Sequence, residues 1–300
     1  MIDLFKVFMS SEAKIKVAEV LDSGFIGQGE TVKEFEKALR NYFEVPHAIT
    51  VNSATSAEHL ALHLLKRYGL NPGDEVLATP LTCSASNWPI IHNGFKIKWV
   101  DINPDNLNID MNDLERKITP STKAIMGVHW SGIPLDMDRI DQIRQKAYDT
   151  YGFRPHVIYD CAHAMGSRYR GKLVGSRGIN TFSFQAIKHL TTGDGGCITT
   201  NWDELAEQAI LDRWYGISRD DSKRSDFRCL DGRSLVKLDG KKIPIRQIVE
   251  KKLQGEVEVF NLESNRLELT RIKNWIESPR NGRKIYTVTT KSLRNRYKSY

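Results

Sequence analysis

The sequence predicts an α/β fold: a mainly parallel sheet with helices on both faces, followed by a small all-β module. Three observations predict it. Between residues 45 and 212, short apolar runs alternate with stretches of helical periodicity. After residue 228 the chain turns to short segments rich in β-branched and aromatic residues, broken by Gly, Asn and Ser. The charge changes at the same place: residues 229–300 hold 17 Lys and Arg against 8 Asp and Glu, and the remaining residues hold 27 against 29. Such different balances indicate two modules, 1–228 and 229–300, with the boundary at Arg228/Cys229.

The elements follow in order. Residues 48–51 read as a strand and 55–67 (TSAEHLALHLLKR) as an amphipathic helix behind it. Strands are expected at 75–78 and 96–100, with a helix at 84–92 between them. A strand at 123–128, a helix at 136–148 and a strand at 157–159 come next. Strands at 181–184 and 197–200 and a helix at 203–213 close the series. Ligands of such sheets sit beyond the carboxyl ends of the strands, so the loops after them hold the candidate residues.

Composition narrows the function. Three hundred residues, 40% apolar and 27% charged, suit a soluble globular protein of one large or two ordinary domains. No apolar run reaches the length of a membrane span, and MIDLFKVFMSSEAK lacks the features of an export signal. Cys83, Cys161, Cys197 and Cys229 are scattered without a CxxC pair, which fits a reducing cytoplasm and neither a disulfide framework nor a metal site. The net charge of +7 resides in the tail. There it is dispersed through strand-like segments, and Tyr286, Tyr297 and Tyr300 form no stacking motif, so no nucleic-acid partner is expected.

Three strand ends carry the chemistry. NSATSAEHLAL (52–62) runs small hydroxyl residues straight into a helix. It reads either as an ordinary N-cap or as an anion site built from helix N–H groups with Thr55 and Ser56. In VIYDCAHAMGS (157–167), Asp160 ends an apolar strand, where a buried carboxylate needs a partner, and His163 follows within a helical turn. They are either a helix-capping Asp and a core His, or an acid for a protonated ring nitrogen and a donor to a neighbouring oxygen. In NTFSFQAIKHLTTGDGG (180–196), Ser183 ends a strand and Lys188 sits in a nearly uncharged stretch before a Gly-rich loop. That setting predicts a desolvated, nucleophilic amine able to form a Schiff base. Strand–Asp, then strand–Ser–Lys 28 residues after the Asp, is the arrangement a pyridoxal-phosphate (PLP) site requires.

Eight segments between about Ser23 and Tyr215 make this specific, among them GFIGQGETVKEFE, NPGDEVLATPLTCSASNWPI, VDINPDNLNID and FSFQAIKHLTTGDGGCITTN. They resemble, in order, the DegT/StrS-type sugar aminotransferases, which are fold-type I PLP enzymes. The resemblance implies that Lys188 holds the cofactor covalently and shuttles protons, that Asp160 pairs with the ring nitrogen, and that His163 takes the place of a Gln near the phenolic oxygen. It implies that Ser183 and the Ala54–Thr55 turn bind the phosphate. Ala54 stands where the family usually has Gly, which requires a negative φ there. Cys83 stands where the family carries an aromatic ring, with Trp88 and His92 as nearby substitutes. Dehydrating relatives have His at the position of Lys188, so the resemblance implies transamination of a nucleotide-linked keto-sugar, with glutamate as donor, by a homodimer.

The tail resembles something else. DFRC is followed by LDGRSLVKLDGKKIPIRQIVEKKL, which is similar to the N-terminal block of an intein (a Hint module). That resemblance implies that Cys229 is the first intein residue, whose thiol attacks the Arg228 carbonyl in an acyl shift. The chain reaches Tyr300 before a TxxH block or a terminal His-Asn, so the module is expected to be incomplete, the small aminotransferase domain missing, and splicing by this chain alone absent. The alternative reading makes the chain the N-terminal fragment of a split intein, with the aminotransferase segment as extein and its partner on a separate polypeptide; a further reading of the tail is a divergent β-rich C-terminal domain.

Overall fold

The structure, a computed structural model, describes residues 6–216, 235–261, 266–272, 274–280 and 283–289. The chain divides into two compact units, Met1–Gly216 and Ile217–Tyr300. The Arg228/Cys229 boundary read from sequence lies outside the described residues.

The first unit runs α1 (Ser11–Asp22), α2 (Glu30–Phe43), β1 (His47–Val51), α3 (Ala54–Leu65), β2 (Glu75–Ala78), α4 (Ser84–His92), β3 (Lys96–Trp99), α5 (Met111–Lys117), β4 (Thr122–Val128), α6 (Met137–Tyr151), β5 (His156–Asp160), the hairpin β6 (Arg168–Tyr169) and β7 (Lys172–Leu173), β8 (Ile179–Ser183), β9 (Gly196–Thr200) and α7 (Asp203–Asp212). Seven strands form one sheet in the order β1-β9-β8-β5-β4-β2-β3. Pairing is parallel from β8 to β3, and β9 alone runs against its neighbours. The mainly parallel sheet expected from the sequence is therefore present.

Period-two alternation sends the two sides of each strand into separate cores. Ile125, Val157, Tyr159, Phe182 and Cys197 join Leu39 and Phe43 of α2 and Ile140 and Ile143 of α6 on one face. Ala124, Met126, Ile158, Ile179 and Ile198 meet Ala57, Ala61, Leu62 and Leu65 of α3, Ile90 of α4 and Leu205 of α7 on the other. Burying each large aliphatic side chain there stabilises the fold by about 2 kcal/mol. Gly175 (φ +103°) shows how tight the first core is: a Cβ there would lie 2.6 Å from Phe182 and 2.9 Å from Phe43.

Local chemistry sets the ends of these elements. α6 starts at Asp136, whose carboxylate accepts the Arg139 N–H at 3.0 Å, and stops at Gly152 with φ +76°. Between α2, β1 and α7 lies a buried clasp. Glu36 accepts the Thr50 N–H at 3.0 Å and the Thr50 hydroxyl at 2.8 Å, and forms an ion pair with Arg213.

The second unit contains β10 (Leu235–Leu238), β11 (Lys241–Pro244), α8 (Ile245–Glu250), β12 (Glu256–Asn261), β13 (Arg266–Arg271), β14 (Asn274–Arg280) and β15 (Arg283–Thr289). One sheet has the order β11-β10-β12-β13, and β14 pairs with β15. The strand pair expected within VKLDGKKIPI is the β10–β11 hairpin. Its two-residue turn, Asp239–Gly240, has φ of +48° and +79°, both in the left-handed region that such hairpins use. IRQIV, taken from sequence as part of a β-rich stretch, is instead helical. Pro244 caps α8, and Ile245, Ile248 and Val249 bury one side of it at helical spacing. Among the described residues no helix is long and apolar enough to cross a membrane.

Candidate active site

Asp160, Ser183 and Val51 lie at the strand ends, and Thr181 in mid-strand, all on the α3 side of the sheet, because they share parity with Ile158, Ile179 and Ile49. Ladder register aligns them. Asp160 is opposite Thr181 on β8, and Ser183 is opposite Gly196 on β9, which is opposite Val51 on β1. Strand spacing of about 4.8 Å puts Ser183 roughly 10 Å from Val51, across Gly196.

The chain then leaves β1 and enters α3 through Ser53. Ser53 is extended (φ −165°) and its hydroxyl oxygen accepts the Ser56 N–H at 3.1 Å. Ser53 is thus the N-cap, which leaves Ala54 and Thr55 to supply the first-turn N–H groups that no helix can bond internally. Ala54 is helical and its φ is not positive, so the missing glycine costs nothing here. Gly196, the first residue of β9, must be glycine: a Cβ on it would lie 2.5 Å from the Ala54 nitrogen and the Ser53 carbonyl carbon. The turn between β1 and α3 is seated directly on the backbone of β9.

Asp160 is 6% exposed. Its Oδ1 accepts the Ala162 N–H at 2.9 Å, and its Oδ2 accepts the Ser86 hydroxyl at 2.6 Å. Ser86, on α4, in turn lies 2.8 Å from the Thr82 hydroxyl. Among the described residues no Lys or Arg side chain forms an ion pair with Asp160. A buried acid with this surrounding suits a cationic ligand group, since an isolated buried charge is costly.

His163 lies in the turn after β5, half-buried, its ring 5.2 Å from that of Trp130. Burial pushes its pKa down, helped by the Lys188 ammonium and opposed by Asp160, so the imidazole is neutral at physiological pH. Lys188 sits in the loop after β8, where its N–H donates to the Gln185 carbonyl at 2.8 Å. The same loop is pinned by the Thr192 N–H and the Thr191 hydroxyl, both donated to the Phe184 carbonyl at 3.0 Å. The sequence predicts a desolvated lysine at 188; the structure has a half-buried one. The near absence of charged neighbours in sequence does not seal a side chain on a loop. Cys83 is exposed at the N-cap of α4, and the Trp88 and His92 rings pack on each other at 5.3 Å. Cys229 lies outside the described residues.

Several residues of the site carry no local sequence signal. Ser86 and Trp130 reach it from 74 and 30 positions before Asp160, and no local pattern marks a partner at that range. Glu58 had a signal. It is an acid within the apolar stripe of α3, beside Ala57 and one turn before Ala61 and Leu62, and it is 1% exposed. A concavity of about 710 Å³ adjoins the site, lined in part by Asn52, Ser56, His59, His63 and Arg213, and none of Asp160, His163, Ser183 or Lys188 lines it.

A parallel sheet whose strand ends carry a helix N-terminus with Ser183, a buried carboxylate and a loop lysine defines the large domain of a fold-type I PLP enzyme. The donor set fits that cofactor: N–H and hydroxyl groups for a phosphate, an acid for a ring nitrogen, and an amine for an aldehyde. The chain belongs to the DegT/DnrJ/EryC1/StrS aminotransferase family, whose profile matches residues 8–231. It is 43% identical over 203 residues to the GDP-perosamine synthase of Caulobacter vibrioides, covering 67% of this chain and 52% of that protein. Its fold is similar to that of the sugar aminotransferase CalS13 from Micromonospora echinospora, with 44% identity and a TM-score of 0.71 over 75% of this chain and 61% of that one. It is also similar to a GDP-4-keto-6-deoxymannose-3-dehydratase solved with a trapped PLP–glutamate geminal diamine, at 31% identity and a TM-score of 0.67, covering 73% and 56% of the two chains. PLP is the cofactor of this family. The chain spans about half the length of the curated relatives it matches.

Proposed function

We propose that this chain carries the cofactor half of a PLP-dependent aminotransferase acting on a nucleotide-linked keto-sugar, with glutamate as the amino donor and a homodimer as the working assembly. One observation carries the reading: Asp160 is a buried carboxylate at a strand end, fixed by Ser86 and Ala162, with no basic side chain paired to it among the described residues. Such an acid suits a protonated ring nitrogen. Bound there, PLP supplies an electron sink and a carrier for the amino group. The Ala54 and Thr55 N–H groups and the Ser183 hydroxyl hold the phosphate. His163, neutral and held against Trp130, faces the phenolic oxygen. Lys188 holds the cofactor covalently and moves a proton at the substrate carbon. A lysine at 188, where dehydrating relatives have His, favours amino transfer. The similarity to a GDP-perosamine synthase supports a nucleotide-sugar substrate.

The test is spectroscopic. Purified chain mixed with PLP develops a visible band of lysine-bound cofactor, and Lys188→Ala lacks it. A band that persists in that variant overturns the role of Lys188.

A second reading concerns residues 229–300: that they are the N-terminal part of an intein interrupting the enzyme. The charge balance of the tail, the β10–β11 hairpin with its Asp239–Gly240 turn, and the end of the family match at residue 231 favour it. In this reading the Cys229 sulfur bonds to the Arg228 carbonyl carbon as the peptide C–N bond breaks, leaving a thioester and the free Cys229 amine. Added thiol then cleaves the chain after Arg228, and Cys229→Ala does not cleave. Intact wild-type chain after thiol treatment, alone and with a complementing C-terminal fragment, refutes it.

A further inference from the structure

Glu58 is used by nothing in the reading above. It projects from α3 into the site at 1% exposure, and its Oε2 is sealed from solvent with no hydrogen-bond donor among the described residues. The groups that act on it belong to two strands and a loop: the Asp160 carboxylate at the end of β5 and the Thr181 hydroxyl of β8, with Cys161 after β5 and Cys83 before α4 nearby. The Thr181 hydroxyl also donates to the Tyr159 carbonyl at 3.3 Å. No cation is among these groups.

Two carboxyls side by side in a buried site cannot both ionise. Asp160 is the one equipped to carry the charge, because the Ser86 hydroxyl and the Ala162 N–H both donate to it. The proton then belongs on Glu58. Burial first, and the Asp160 charge second, hold the Glu58 carboxyl well above the usual carboxylate range.

We propose that Glu58 is a positioning residue for the cofactor's ring partner: a neutral acid that donates its proton to the Asp160 carboxylate, so that the pair bears one negative charge. This deepens the PLP reading and rests on it. An ionised carboxylate has about four lone-pair sites. Ser86, Ala162 and Glu58 use three, which leaves one, and the ring nitrogen takes it. Each donor also shares the Asp160 charge and draws it away from the site that the ring nitrogen takes. Glu58 therefore both aims Asp160 and sets how strongly it pulls.

Infrared titration of the full-length chain without cofactor tests the proton directly. At pH 7 the wild type shows the carbonyl stretch of a protonated carboxylic acid, and Glu58→Gln lacks it. No such band at pH 7, or an unchanged band in Glu58→Gln, overturns the proposal, and this outcome is independent of whether PLP binds. Loading the chain with PLP tests the positioning role. Glu58→Leu concentrates the Asp160 charge and raises the pH midpoint of the visible band by about one unit, a tenfold change. Glu58→Gln, which keeps a donor toward Asp160, shifts the midpoint by less than about a third of that. Equal midpoints in wild type and Glu58→Leu reduce Glu58 to a structural residue and refute the role.

Discussion

Two buried glutamates, Glu36 on α2 and Glu58 on α3, show how the same side chain serves different ends. Glu36 is surrounded by donors: the Thr50 N–H and hydroxyl, and the Arg213 guanidinium. All its partners are complementary, and it holds α2, β1 and α7 together. Glu58 faces an acid, and its partners become complementary only when it carries a proton. The first arrangement is what stability alone selects. The second is unfavourable for stability at neutral pH, and it lies beside Asp160, a buried carboxylate with no Lys or Arg partner among the described residues. An interior charge that is matched marks scaffolding; one that is mismatched marks the site.

The largest effect should come from breaking the matched pair. Glu36→Ala leaves the Arg213 cation buried and unpaired, and should cost about 3 to 5 kcal/mol in thermal or denaturant unfolding. Exchanging both partners for apolar residues of similar size should cost much less, because no charge is then stranded.

His129 offers an intermediate case. It is fully buried, its Nδ1 accepts the Leu135 N–H at 2.9 Å, and its Nε2 has no hydrogen-bond partner among the described residues. Burial pushes its pKa down to about 4. A histidine held neutral contributes stability that is whole above its unfolded value of about 6.5 and is lost as pH falls toward 4. Between these limits the wild type should lose about 3 kcal/mol that His129→Gln does not lose, measured as the difference in unfolding free energy with pH.

Glu58 should behave with the opposite sign. Its folded pKa is raised, so the folded chain binds more protons than the unfolded one above about pH 4.5, and stability falls as pH rises. Glu58→Gln should flatten that slope and gain on the wild type by up to about 1.4 kcal/mol per pH unit until Glu58 ionises. A Glu58→Gln melting curve that parallels the wild type from pH 5 to 8 contradicts a proton on Glu58. The smallest effect should be at the Trp130–His163 contact, where Trp130→Leu should cost about 1 kcal/mol beyond lost area while loosening the His163 ring. Unfolding of the variant and the His163 ring resonances in NMR check this.

Most of the sheet was legible in the sequence, because its strands are short apolar runs and its helices repeat at 3.6 residues. Residues 75–78 and 84–92 coincide with β2 and α4, and the others differ by one to three residues at their ends. Before residue 48 the sequence pattern marks no element, because α1 buries no residue and α2 precedes the first strand. The second unit was legible as strands, yet α8 was not, since IRQIV has the β-branched content of a strand and only the preceding Pro244 separates the two. At the site, Asp160 and Ser183 were legible as the polar ends of apolar strands, and Lys188 as a lone cation in an uncharged stretch. Their surroundings were not. Ser86 and Trp130 come from elements far away in sequence, Glu58 shows only as an acid in the apolar stripe of α3, and half-burial of Lys188 depends on how its loop folds back.

The central claim is that PLP attaches to Lys188 with Asp160 as its ring partner. Borohydride reduction of the PLP-treated chain, followed by peptide mapping, tests it most directly. The account predicts a phosphopyridoxyl group on Lys188 in the wild type and a sharply reduced yield in Asp160→Ala. A label on another lysine, or one spread evenly over the exposed lysines, would contradict it.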